Sequence, residues 1–387
     1  MTNRYDAANQ FSTRPADESF GTLAGFLAHL REEKNTSRET TRAIKDLTAN
    51  PHADGGIVLT NPAGINAKLT HWSFSQASRI ISAPAGYLRT LPADITAAAV
   101  NYGISKAARQ DVKILTRTTV QDDGQREHRI RALTSDAYGR VWSADLYADM
   151  IDHLTPAGFD LPPVWPGLDK HGTGKAGAYA GDRDAFLILT LPASSIVNDP
   201  TARSSRLDGG PGGNAGALYP AIIVRNSEVG AASVSIDVVM YRFICGNHII
   251  WHVDTSASTA WKRRHVGQNA QRDSIREVLR IARQLTQRDP AQDERIIRTL
   301  ADREIAESRE GVIAELRAIG YSEADAVAAY EATATEQSST TASPRSYWGI
   351  VQGTTYISQQ SGYQDDRMSL DQLAAQVLTR GRKLIAA

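Results

Sequence analysis

The sequence predicts an α+β fold with a largely antiparallel central sheet, flanking helices and a helical segment inserted near the C-terminus. Three observations carry that expectation. Ala217 to Asp254 is the most apolar and β-branched run of the chain, and turn-type residues cut it into Ala221 to Val224, Ser233 to Ile244 and His248 to Val253. Asn226 to Gly230 and Gly246-Asn247 supply the turns of an antiparallel meander. Val112 to Val120 and Glu127 to Leu133 read as a second antiparallel pair, closed by Gln121-Asp122-Asp123-Gly124, whose Asp-Gly ending favours a hairpin. Four helical patterns then follow the meander, so strands and helices are segregated rather than strictly alternating.

Taken in order, residues 1–18 are polar and are expected to form a flexible tail. Phe20, Leu23, Leu27 and Leu30 recur at helical spacing behind Ser19, which is placed as an N-cap. Ile57 to Thr60 and Lys68 to Phe74 read as short strands. Ser75 to Lys106 is helical in two pieces, broken at Ala83-Pro84 and restarted at Pro92. Ser143 caps a helix carrying Leu146, Met150, Ile151 and Leu154, and Ala185 to Leu191 is a strand. Asn198 to Gly216 is a glycine-rich loop. It lacks the GxxxxGK[ST] order of a phosphate-cradling loop and is expected to be a lid or an insertion. Helices are expected over 269–287, 294–308, 312–319 and 322–332, the last opened by Ser322 with Asp325 three residues on. Tyr347 to Ser358 alternates like a strand, and Leu370 to Leu384 closes the chain as a helix behind Ser369. The expected organisation is an α+β core over 19–254, a helical segment over 255–335, and a strand and helix over 344–387 that complete the core.

At 387 residues the chain is long enough for one elaborated domain or two closely packed ones. Its 43 basic residues balance 43 acidic ones, so any electrostatic function is local rather than global. The single cysteine, Cys245, excludes an internal disulfide framework and suits a reducing compartment. The first twenty residues have no apolar run, and no stretch is long enough to cross a bilayer. The cytoplasm is therefore the expected location, with no membrane partner. No cofactor motif emerges, and association between identical chains stays open.

The strongest local field lies just after the meander. Between Trp261 and Arg288 stand Lys262, Arg263, Arg264, Arg272, Arg276, Arg280, Arg283 and Arg288 against two acids, Asp273 and Glu277. On a helix turning about 100° per residue, Arg272, Arg276, Arg280 and Arg283 fall in one stripe, while Ile275, Val278, Leu279, Ala282 and Leu285 crowd the opposite side. One face can pack while the other offers guanidinium groups to a phosphate backbone. Trp261, with Lys262, Arg263, Arg264 and His265, would add a stacking platform for a single strand. The alternative is a solvated face whose arginines pair with neighbouring acids.

A second constellation is the polar set in and beside the strands: Arg131, Ser135, Asp136 and Tyr138 after the hairpin, and Asn226, Ser227, Glu228, Arg242 and Asn247 in the meander. Converging, they would form a cleft in which Asp136 or Glu228 serves as a base beside arginines and amide donors. The alternative is a structural network, with Glu228 paired to an arginine and the amides fixing turns. Cys245, His248, His252 and Asp254 lie close in sequence, but without a second cysteine pair or an HExxH motif no metal site is assigned. Cys245 sits in the most apolar run, where thiols are inert. Trp142, Trp165, Trp251 and Trp348 are assigned mostly to the core.

The segments RALTSDAYGRVW (131–142), RNSEVGAASVSIDVVMYRFICGNHIIW (225–251), the KRRH run at 262–265, SAPAGYLRTLPADITAAAVNYG (82–103) and SYWGIVQGTTYISQQSGYQDDRMSLDQLA (346–374) resemble the phage/plasmid-like family called domain of unknown function 932. The resemblance spans roughly residues 70 to 385. It implies carriage on phages, plasmids or integrated elements, and hence a place near DNA. Three functions follow as expectations. The first is a DNA-associated protein, on single or double strands, acting in recombination, replication or element protection. The second is an enzyme acting on a nucleotide or nucleic acid through the polar cleft. The third is a host-factor interaction protein without catalysis.

Overall fold

A computed structural model describes residues 18–108, 111–162, 177–191, 196–202, 216–242, 247–250, 262–265, 269–335, 340–358, 360 and 364–386; for 241–242, 247–250, 262–263, 270, 364–368 and 386 it describes the backbone alone. The chain opens with β1 (Ser19–Phe20) and α1 (Leu23–Asn35). It then forms β2 (Ser37–Ala43), β3 (Thr48–Pro51), β4 (Ile57–Thr60) and β5 (Asn66–Leu69), followed by α2 (His71–Ile80), α3 (Ala85–Leu88) and α4 (Ala93–Lys106). The hairpin β6 (Asp111–Val120) and β7 (Arg126–Ser135) completes a six-stranded sheet in the order β2-β6-β7-β5-β4-β3. Every pairing in it is antiparallel except β5 with β7. Gly124 takes φ +78° in the hairpin turn, as the Asp-Gly ending requires. One face of this sheet buries Ile114, Ile130, Leu133 and Leu59 against Ala77, Leu88, Ala97, Val100 and Ile104 of the helical layer.

Helix α5 (Ser143–Leu154) leads into the larger, eight-stranded sheet, built from β1, β8 (Ala178–Ala180), β9 (Ala185–Thr190), β10 (Val197–Asn198), β11 (Ala217–Asn226), β12 (Val234–Arg242), β13 (Asn247–Ile250) and β14 (Lys262–Arg263). The meander is present as expected: β11 pairs antiparallel with β12, and β12 with β13. Alternation along β11 and β12 sends Ile222, Val224, Ile236 and Val238 to one face, against α5 and α6 (Ala270–Thr286). Tyr219, Ala221 and Val239 point to the other, toward Ala375. The C-terminal helices α7 (Pro290–Asp302), α8 (Arg309–Ile319), α9 (Glu323–Ala334), α10 (Tyr347–Ser358) and α11 (Gln364–Ala386) form their own core around Trp348, Ile297, Leu316 and Leu378, joined to the sheet through Leu218 and Met240. Among the described residues no helix is long and apolar enough to cross a membrane.

Four local expectations are corrected. Ser19 is not a helix cap: it pairs with Tyr179 in β1, and Thr22 caps α1 by accepting the Gly25 amide. The strand expected to run from Lys68 to Phe74 stops at Leu69, because Thr70 caps α2. Ser369 lies inside α11 rather than ahead of it. Tyr347 to Ser358 is a helix, not a strand, buried on nearly all sides. Its apolar residues on every side imitate a buried strand, whereas Gly349 and Gly353, four apart, let backbones meet. A Cβ at Gly353 would overlap the Ala329 carbonyl oxygen and the Thr333 hydroxyl. The Thr333 hydroxyl also lies 2.8 Å from the Gly349 carbonyl oxygen, tying α9 to α10. The segment expected to be a strand and a helix over 344–387 thus forms two helices, α10 and α11.

Candidate functional site

The amphipathic α6 covers 270–286 and divides its faces as its sequence dictates. Val278, Ile281, Ala282 and Leu285 are buried beside Met150 and Leu154 of α5 and the inner face of the meander. Burial of each Val, Ile or Leu side chain among them stabilises by about 1.5–3 kcal/mol, which fixes the rotation of the helix. Arg272, Arg276, Arg280 and Arg283 consequently all stand on the exposed side. They differ in availability. Arg280 is held by Glu277, with Nη2 2.6 Å from Oε1, and by Gln284 at 3.0 Å. Arg272 donates to Asn269 at 3.2 Å. Arg276 and Arg283 form no ion pair among the described residues. Arg288, beyond the helix, is drawn into a partly buried ion pair with Asp293.

The segment ahead of α6 is less uniform. Trp261 lies outside the described residues. Lys262 and Arg263 form β14 against Val234 and Ser235, their side chains lying outside the description, and Arg264 is exposed. His265 is a correction. It is 5% exposed and stacks on Tyr138 at 5.1 Å between ring centroids, so it offers no ring to a nucleic-acid strand. Burial depresses its pKa to about 4, leaving the imidazole neutral near pH 7.

The polar set does converge in part, as a closed network. Arg131 Nη1 lies 3.1 Å from Glu228 Oε2, and Arg131 Nη2 lies 3.5 Å from Glu33 Oε2. The other Glu228 oxygen accepts the Ser143 amide at 2.9 Å, supplying a carboxylate to the N-terminus of α5, where orphan amides favour one. Asn226 donates to the Val141 carbonyl and the Ser143 hydroxyl, each at 2.9 Å. Ser143 is therefore the first residue of α5, secured from outside rather than capping it. Tyr138 donates to the Ser227 carbonyl at 3.0 Å. Arg131, Asn226 and Glu228 are 6%, 0% and 4% exposed, so no solvent-open cleft reaches them. Burial raises the Glu228 pKa while Arg131 opposes the shift.

Asp136 stands apart: it is exposed and accepts the Ala137 amide at 2.8 Å. The Arg242 side chain lies outside the description. Two members of the network were missed in the sequence. Arg140, whose side chain is 3% exposed, donates to Glu39 at 2.6 Å and to the Glu228 carbonyl, and Glu33 binds Arg117 at 3.0 Å. Nothing local marks either one, since their partners lie in distant segments. Trp348 is buried, and its indole nitrogen donates to Asp199; Trp142 is half-buried, while Trp165 and Trp251 lie outside the description. Among the described residues no group of His, Cys, Asp and Glu is placed to hold a metal, and Cys245, His252 and Asp254 lie outside them.

Fold and surface together define an α+β protein whose meander packs against an arginine-faced helix and, through Leu218 and Met240, against a separate buried core of C-terminal helices. Residues 176–373, about half the chain, match the family described as "Domain of unknown function (DUF932)", and the chain belongs to that family. The match takes in β8 to β14, α6 to α10 and the first part of α11, but not the six-stranded sheet. No curated protein and no solved structure matches the chain.

Proposed function

We propose that the protein binds DNA, taking the phosphate backbone along the exposed face of α6. The observation that carries this reading is the exposure of Arg272, Arg276 and Arg283 on one line, with no carboxylate paired to any of them among the described residues. Eleven residues of helix separate the first from the last, roughly 16 Å at about 1.5 Å per residue, enough to meet several phosphates. Arg280 adds to the row, because an exposed ion pair such as that with Glu277 is worth only about 0.3–0.5 kcal/mol and yields readily to a phosphate. The resemblance to phage/plasmid-like chains supports a role in recombination, replication or protection of a mobile element, and the lone cysteine suits a reducing cytoplasm. Catalysis in the polar cleft has less support, because Glu228 and Arg131 are buried and paired with each other.

Filter binding of labelled single- and double-stranded DNA at two salt concentrations tests the reading. Arg276→Glu combined with Arg283→Glu is expected to weaken binding and to flatten the salt slope by about two. Unchanged affinity and slope would remove α6 as the interface.

A further inference from the structure

The helical layer of the six-stranded sheet encloses a cleft of about 260 Å³ between the β3–β4 turn, β5, the start of α2 and the α3–α4 segment. Phe74, Leu88 and Leu91 give it an apolar floor, and Lys68, His71 and Arg89 lie at its rim. The rim charges differ in kind. Lys68 is already neutralised, with Nζ 3.2 Å from Asp54 and 3.0 Å from Glu127. Arg89 donates through Nη2 to the His71 carbonyl at 2.9 Å and to the Ser75 hydroxyl at 2.6 Å, and its guanidinium carbon lies 5.1 Å from the Phe74 ring centroid. Arg183, from the β8–β9 turn of the other sheet, brings Nη2 to 3.3 Å from His71 Nδ1. Neither arginine pairs with a carboxylate among the described residues. Two uncompensated guanidiniums therefore flank one imidazole beside an apolar hollow. The His71 pKa is lowered by desolvation and then by Arg89 and Arg183, as befits a ring between two cations.

We propose that this cleft binds a mononucleotide unit, with its phosphate on Arg89 and Arg183 and its base against Phe74, Leu88 and Leu91. Guanidinium forks match phosphate oxygens in pairs, and an anion between the two arginines relieves their repulsion. The ring of Phe74, one face of which the Arg89 guanidinium covers, gives a planar base an aromatic edge contact. The volume lies below the roughly 300–1,000 Å³ of clefts for larger ligands, so one compact unit fits and a dinucleotide cofactor does not. The same chemistry serves a free nucleoside monophosphate and the phosphorylated 5′ end of a strand; the second form rests on the DNA-binding reading above, the first does not.

Titration calorimetry of the full chain with thymidine monophosphate and with inorganic phosphate tests the proposal. Saturable binding of the nucleotide, tighter than that of phosphate, is expected. Arg89→Met and Arg183→Met should each weaken it about tenfold, the loss of one charge-assisted contact, with Arg89→Lys intermediate. Arg276→Glu with Arg283→Glu should leave it unchanged, so failure of the α6 interface and failure of this cleft are read separately. Preference for a 5′-phosphorylated over a 5′-hydroxyl oligonucleotide would identify the strand end, and equal binding of the two would identify the free nucleotide. Absence of saturable nucleotide binding, phosphate binding as tightly as nucleotide, or unchanged affinity in correctly melting Arg89→Met and Arg183→Met proteins would each overturn it.

Discussion

Arg131 and Glu228, 97 residues apart, meet at 3.1 Å where β7 faces the β11–β12 turn, and both are buried. The pair fastens the six-stranded sheet to the meander, and through the Ser143 amide it also secures α5. Removing one partner of such a pair strands the other charge out of water.

Glu228→Ala is therefore expected to cost about 3–5 kcal/mol of stability in a urea melt, with Arg131→Ala in the same range. The double variant should lose less than the sum of the two, because neither charge is then left alone. A Glu228→Ala protein that melts like the wild type would reassign this residue from scaffold to chemistry.

Acid sensitivity should follow His265. Its folded pKa of about 4 lies below the ordinary 6.5, so between those values the unfolded chain binds the proton more readily. Its contribution is fully present above about pH 6.5 and is lost as pH falls toward 4, amounting to roughly 3 kcal/mol at most. Glu228 acts in the opposite sense, since a raised carboxyl pKa favours the folded state on the acid side. Comparing the wild type with His265→Phe, which keeps the stack on Tyr138, isolates the histidine. The variant's urea midpoint should fall less between pH 7 and pH 5, and parallel curves would contradict the assignment.

At the α9–α10 crossing, Gly353→Ala should lower stability by about 1–3 kcal/mol or more, read as a drop in melting temperature. The added methyl meets backbone at Ala329 rather than a movable side chain. A neutral result would mean that the two helices are not in backbone contact.

Asp136→Asn, by contrast, should change urea stability by no more than about 0.5 kcal/mol and leave DNA binding intact, because the side chain is exposed and only steadies its own turn. Loss of function without loss of stability would revive the catalytic reading.

The hairpin and meander were legible because their apolar alternation and turn residues agree, and α6 because its arginines and aliphatics separate at helical spacing. Strand β2, SRETTRA, was not. As an edge strand paired only to β6 it carries polar residues on both sides, and so has no pattern to read. Helix α10 was misread because Ile350, Val351 and Trp348 are buried all round, and the informative signal was the pair of glycines four apart. In the candidate site the arginine row was readable, and Glu277, three residues before Arg280, was the visible sign that one member was engaged. The burial of His265 under Tyr138 and the pairing of Arg131 with Glu228 depend on segments far apart in the chain, which a linear reading does not bring together.

Helix α5 receives its N-terminal counter-charge from a residue 85 positions downstream. That end of the helix stays incomplete until β11 and β12 have paired and their turn has docked. Closure of a long loop thus precedes the reward for it, which predicts slow assembly in which α5 and the meander acquire hydrogen-exchange protection together.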